Sequence, residues 1–218
     1  MKLLFLLLGS LAASSAAHAQ LAVRLGGGLT RLRATEGQVV RSSSSAQAGL
    51  EAGLLYQLPL APHLSLVPEV AYSYERTTLS QSSMSVGDAF FKADTRLRLH
   101  YLSVPVLVRA SLGRVYLEAG PQASLLLGGR QTGTDYITSW GLGYTTQAYE
   151  IDQAAAKDRQ RLDVGPCLGL GLALPAGLGV SVRAYQGLLA LNEARSDADG
   201  KLQRQSLQAS LTYQLNSK

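Results

Sequence analysis

Alternation of apolar and polar residues with a period of two, repeated along the chain, constrains this sequence more than any other feature. It is cleanest near the C-terminus, where Leu207, Ala209, Leu211, Tyr213 and Leu215 interleave with Ser206, Gln208, Ser210, Thr212 and Gln214. Successive side chains on a strand point to opposite faces, so such a segment is a strand with one apolar and one polar face. The same phase runs through residues 21–30, 48–58, 64–74, 115–125, 162–172 and 178–185. A fourth segment, 102–110, brings the number of strands to eight. Just upstream of it Leu97 and Leu99 fall out of phase while Arg98 and His100 fall into it. Either a bulge or a strand running past a membrane boundary accounts for that shift.

The spacers between strands alternate in length. Pro59–His63, Ser111–Arg114 and Pro175–Gly177 are short; Leu32–Ser45, Thr78–Asp94, Gly128–Gln160 and Asn192–Lys201 are long. Short turns at one end and long loops at the other are the pattern of a transmembrane β-barrel, with the turns and both termini in the periplasm. Two observations separate this reading from a soluble barrel, whose apolar face points inward. Lys2, Lys92, Lys157, Lys201 and Lys218 all fall outside the expected strands. The polar face is also crowded with glycine, at Gly26, Gly28, Gly49, Gly53, Gly120, Gly165, Gly169 and Gly171. A narrow lumen demands small residues, whereas water does not. Lipid offers no hydrogen-bond partner to an open sheet edge, so the first and eighth strands must pair. The expected fold is all-β: an eight-stranded antiparallel up-and-down transmembrane β-barrel following a cleaved signal peptide.

Eight strands leave an interior filled by side chains. The large polar-face residues Arg24, Glu51, Glu69, Arg109, Glu118, Asp163 and Arg183 are therefore expected to meet as a structural network, because buried charges persist only when paired. Tyr56, Tyr72, Tyr74 and Tyr213 lie on the apolar face, in positions suited to an interfacial girdle.

The N-terminus carries Lys2, the apolar run Leu3–Leu8 and small residues ending in Ala17-His18-Ala19. A charged start, a short apolar stretch and an A-x-A site predict a signal peptide over 1–19, cleaved to leave an outer-membrane barrel domain over 20–218. No later apolar segment approaches the roughly 20 residues of a spanning helix. Cys167 has no second cysteine to bond and lies far from the signal. Removing Lys2 lowers the formal charge from +5 to +4, a balance that names no partner, and export excludes nucleic acid.

The chain resembles the outer-membrane β-barrel family common in Bacteroidetes, which includes the PorT-type proteins. The resemblance is carried by Leu66-Val67-Pro68-Glu69-Val70-Ala71-Tyr72, by Tyr101-Leu102-Ser103-Val104-Pro105-Val106-Leu107-Val108-Arg109, by Tyr116-Leu117-Glu118-Ala119-Gly120-Pro121, and by Gly165 with its glycine-rich strand. It implies an eight-stranded barrel in the outer membrane, often with no assigned activity. Barrels of this kind often end on an aromatic residue, whereas this sequence ends Leu215-Asn216-Ser217-Lys218.

Catalytic and metal-binding signatures are thin. After export two histidines remain, His63 in a turn and His100 alone on the fourth strand, with Ser82, Ser83 and Ser85 in the preceding loop. No spacing joins them into a triad, so no catalytic residue is assigned. Asp197-Ala198-Asp199-Gly200 lacks the later acid of a calcium loop and reads as a turn. Gly26-Gly27-Gly28 sits within a strand with no helix after it, which speaks against a phosphate cradle. No cofactor or metal is expected. The longest loop carries Tyr136, Trp140, Tyr144 and Tyr149, and aromatic loops on a rigid scaffold suit recognition. The expected role is non-enzymatic, structural or surface-interacting through these loops; the alternative is a PorT-like accessory factor of type IX protein secretion. A general pore is a weaker third, since eight strands leave little lumen. Expected partners are outer-membrane lipid, the barrel-insertion machinery and a surface ligand or secretion component.

Overall fold

The computed structural model describes residues 20–34, 40–84, 89–139, 145–155, 159–191 and 201–215. The expectations for residues 1–19, Ser85, Trp140, Tyr144 and the turn at Asp197–Gly200 lie outside that set. The described chain forms β1 (Gln20–Ala34), β2 (Val40–Ala61), β3 (Leu64–Met84), β4 (Ala89–Leu112), β5 (Val115–Ser139), β6 (Thr145–Ala154), β7 (Leu162–Ala173), β8 (Leu178–Gln186) and β9 (Leu202–Gln214). Every pairing is antiparallel. Neighbours run β4-β3-β2-β1-β9-β8-β7-β5, and β4 also pairs with β5, so eight strands close on themselves. The seam is the β1–β9 ladder, where Leu25 faces Leu211. The ninth strand, β6, pairs with the far half of β5, from Arg130↔Ala154 to Ser139↔Thr145, while β7 takes the near half from Val115 to Leu125.

Short connections gather at one end, here the turn end. Gly113 adopts a φ of +62° between β4 and β5, and a 3-10 turn at Pro175–Gly177 joins β7 to β8. At the opposite, loop end the expected long loops are largely strand, which corrects the reading of residues 32–45, 78–94 and 128–160. β1 reaches Ala34, β3 reaches Met84, β5 reaches Ser139, and β6 returns from Thr145. Ser82 and Ser83 therefore sit on β3, and Lys92 on β4 rather than outside the strands. The ladders continue because sheet hydrogen bonds satisfy the backbone in water as they do in lipid. What stops is the apolar-out pattern.

That change of pattern also settles the fourth strand. Along β4, Arg96, Arg98 and His100 keep the face of Val104, Val106 and Val108, while Leu97, Leu99, Tyr101 and Leu107 are buried inside. The strand runs on past the apolar band. A register shift does exist nearby, but it belongs to β5: His100 faces Gly128 and Tyr101 faces Leu126, leaving Leu127 extra.

The outward face between the turn end and His100 is a belt of exposed Leu, Val and Tyr, among them Leu25, Leu54, Val70, Val106, Leu117, Leu170 and Leu211. From Ala110 to His100 the belt spans ten residue steps, about 26 Å at roughly 3.4 Å per step and a tilt of about 40°, the height of a bilayer's apolar core. β4 begins at Ala89, so its first eleven residues, up to Leu99, stand beyond that belt.

Candidate functional site

The lumen is layered. Ala22, Leu55 and Val67 form a small apolar floor near the turn end. Above it Arg24 pairs with Glu51 and, through Nε at 2.8 Å, with Glu69. Arg183 donates to Glu69 Oε2 at 2.6 Å and to Glu118 Oε2 at 2.8 Å. Arg109 donates Nε and Nη2 to Glu118 Oε1 at 2.8 and 2.6 Å, and Nη1 to Gln57 Oε1 at 2.8 Å. Three arginines and three glutamates thus alternate in one neutral chain across the barrel. Each charge is desolvated, and each has a partner of opposite sign.

Glycine makes the room. A Cβ at Gly53 would lie 2.6 Å from Glu69 Oε1, and one at Gly171 only 2.2 Å from the ring of Tyr116, over which Arg109 stacks at 4.2 Å.

Asp163, the seventh expected member, does not join this chain. It lies 3.5 Å from Arg204 Nε in a second cluster nearer the loop end. Arg204 donates to Glu75 Oε1 at 3.1 Å and Ser124 Oγ at 2.8 Å, and lies 4.1 and 4.6 Å from the ring centres of Tyr101 and Tyr185. Arg204 and Glu75 escape the sequence reading because the clean alternation begins at 206 and ends at 74. Continued by two residues or fewer, the same phases place both inside. Toward the loop end Leu32, Leu79, Leu97, Leu99, Leu126, Leu191 and Leu202 form a buried apolar cluster with Tyr101.

Outside the apolar belt, His100 faces outward. Its Nδ1 is 2.6 Å from Tyr72 Oη, and its ring is 5.1 Å from that of Tyr74. Ser82 lies eight residues beyond Tyr74, the register partner of His100, about 27 Å along the strand, so these two groups do not form a nucleophile and base. Cys167 is buried beside Leu107 and Tyr185. Among the described residues no cluster of His, Cys, Asp and Glu suits a metal.

Of the expected recognition aromatics, the two described ones, Tyr136 and Tyr149, stand on strands and not on a loop. Tyr136 stands on β5, on the same face as Arg130, and is exposed; Tyr149 stands on β6 opposite Asp135, which puts it on the other face of the hairpin. Beyond the belt two aspartates are paired locally. The Ser80 hydroxyl, 2.7 Å away, and then Lys92 hold the Asp94 carboxyl below its ordinary range. Arg130 does the same to Asp152 through two hydrogen bonds of 2.6 and 2.5 Å.

The family model described as outer membrane protein beta-barrel domain matches residues 12–192. The chain belongs to this family. It is an outer-membrane β-barrel protein. Its fold is similar to that of solved outer-membrane proteins at low identity. Ail, the attachment invasion locus protein of Yersinia pestis, is 11% identical over 90% of this chain and 99% of that one, with a TM-score of 0.45. Neisserial surface protein A has the same identity, coverage and TM-score. OprG of Pseudomonas aeruginosa is 10% identical over 91% and 97% of the two chains, with a TM-score of 0.37. No curated protein matches the sequence.

Proposed function

We propose that this outer-membrane barrel is a non-enzymatic surface-interaction protein. The observation that carries this reading is the height of β2 to β6, which rise beyond the apolar belt and end in the exposed β5–β6 hairpin. In this reading residues 1–19 are an export signal cleaved after Ala19. The insertion machinery then places residues 20–218 with both termini in the periplasm. The hairpin and its tips, with Tyr136, Trp140, Tyr144 and Tyr149, meet the partner outside. A scaffold rather than a conduit is supported by lumenal charges that pair with one another and by the buried apolar cluster toward the loop end among the described residues.

Because Thr132 faces Asp152, excising 132–152 and joining Gln131 to Gln153 removes the hairpin without touching the belt. Cells carrying the intact and the shortened protein, compared on arrays of glycans and matrix proteins, are expected to differ in retention. Equal retention removes the reading.

The PorT-like role in type IX secretion rests on the strand motifs around Pro68, Pro105 and Pro121. Deletion of the gene with secretion left intact removes it.

A further inference from the structure

Immediately beyond the apolar belt, three arginines face outward side by side. Arg76 is the register partner of Arg98, and Arg98 is the register partner of Arg130, on neighbouring strands β3, β4 and β5. All three are exposed. With strands about 4.8 Å apart, their backbones span only about 10 Å. Like charges directly opposite across a ladder repel, so this row is unfavourable unless anions sit against it.

The row stands two residues, about 5 Å of height, above the layer of Tyr74 and His100. That is where headgroups meet the hydrocarbon. Arg96 adds a fourth cation two residues further out. Arg76 directs Nε to the Ala48 carbonyl at 2.8 Å, and Arg130 is bound to Asp152. Arg96 and Arg98 make no hydrogen bond or ion pair among the described residues. Among the described residues, acids on this face appear in outer rows, as Asp152 opposite Thr132 and as Asp94 and Glu150 on either side of Thr134. A cleft of about 520 Å³ opens there, in which Arg96 and these two aspartates are joined by Thr78, Thr132, Thr134 and Glu150.

We infer that this face docks a phosphorylated glycolipid of the surrounding leaflet, its phosphates on Arg76, Arg98 and Arg96 and its sugar in the cleft. The guanidinium fork matches phosphate oxygens in pairs, which a lysine ammonium does not. Threonine hydroxyls and a carboxylate at Glu150 suit sugar hydroxyls. The contact with the belt selects a ligand whose acyl chains lie in the membrane over a soluble anion.

The test uses the full mature protein folded in detergent and offered an acylated, bisphosphorylated diglucosamine lipid. Native mass spectrometry counts retained lipid. Parallel arms offer the dephosphorylated lipid, phosphatidylglycerol and the deacylated headgroup. The bisphosphorylated lipid is expected to be retained at least tenfold over each. Arg96→Gln with Arg98→Gln is expected to abolish that preference, Arg98→Lys to reduce it in part, and Arg114→Gln at the turn end to leave it unchanged, all with unaltered heat-modifiable gel mobility. Equal retention of the dephosphorylated lipid or of phosphatidylglycerol, equal binding of the free headgroup, or an unaffected double variant overturns the inference. The cleft lies on the base of the β5–β6 hairpin, but lipid retention by the purified protein is a readout separate from cell-surface binding, so it fails or holds independently of the surface-interaction role.

Discussion

The two halves of the long strands carry opposite polarity on one continuous sheet. Near the turn end β4 shows Val104, Val106 and Val108 to the outside and Arg109 to the lumen; near the loop end it shows Arg96 and Arg98 outside and hides Leu97 and Leu99. The ladders continue across that boundary with only local register shifts in β2 and β5, while the solvent changes from lipid to water. In lipid, apolar side chains face out and charges survive only by pairing inside. In water, charges face out and the barrel's own interior becomes the apolar core.

Four measurements break or sharpen this comparison. The largest effect is expected for Arg183→Leu, which strands Glu69 and Glu118 in the lumen. The loss is about 3–5 kcal/mol, read as a lowered midpoint of unfolding from detergent or vesicles. A change under about 1 kcal/mol would mean that those carboxylates take up protons or water without penalty. Leu99→Ala tests the other interior. Loss of a fully buried leucine there costs about 2–5 kcal/mol if the loop-end core is close-packed, and very little if it is only a cover.

One chemical change placed outside the two halves should split them. Val106→Arg in the belt is expected to destabilise by about 2–4 kcal/mol, whereas Thr132→Arg in the extension should stay within about 0.5 kcal/mol. Similar losses at both sites would move the membrane boundary. The smallest effect concerns acid. Asp152 is held below its ordinary value by Arg130, so its contribution is complete above about pH 4 and disappears as the pH falls through the depressed value. Amide exchange in β6 should therefore rise below pH 4 in the native protein, and the rise should be missing in Asp152→Asn. An identical acid response in both would assign the loosening to another group.

Much of this was legible beforehand, for a physical reason that also explains the misses. A period of two assigns a face with no knowledge of neighbours, so Arg24, Glu69, Glu118 and Arg183 could be placed inside from spacing alone. Height along the barrel is set by strand tilt and stagger, which spacing does not contain. Asp163 was accordingly grouped with residues it does not reach, and Tyr136 and Tyr149 with each other. The loop-end strands read as loops in the sequence because an inverted pattern dilutes an apolar-out signal until it resembles polar chain.

By itself the sequence determined the strand count of the ring, the face of each residue within the belt, and the lipid-facing sense of that face. Each follows from alternation and from the small volume inside eight strands. The tertiary structure alone decided which charges pair, that Arg204 and Glu75 form a second cluster with Asp163, and that Arg76, Arg98 and Arg130 stand in one row. Those are contacts between strands distant in sequence, and register, not local pattern, brings them together.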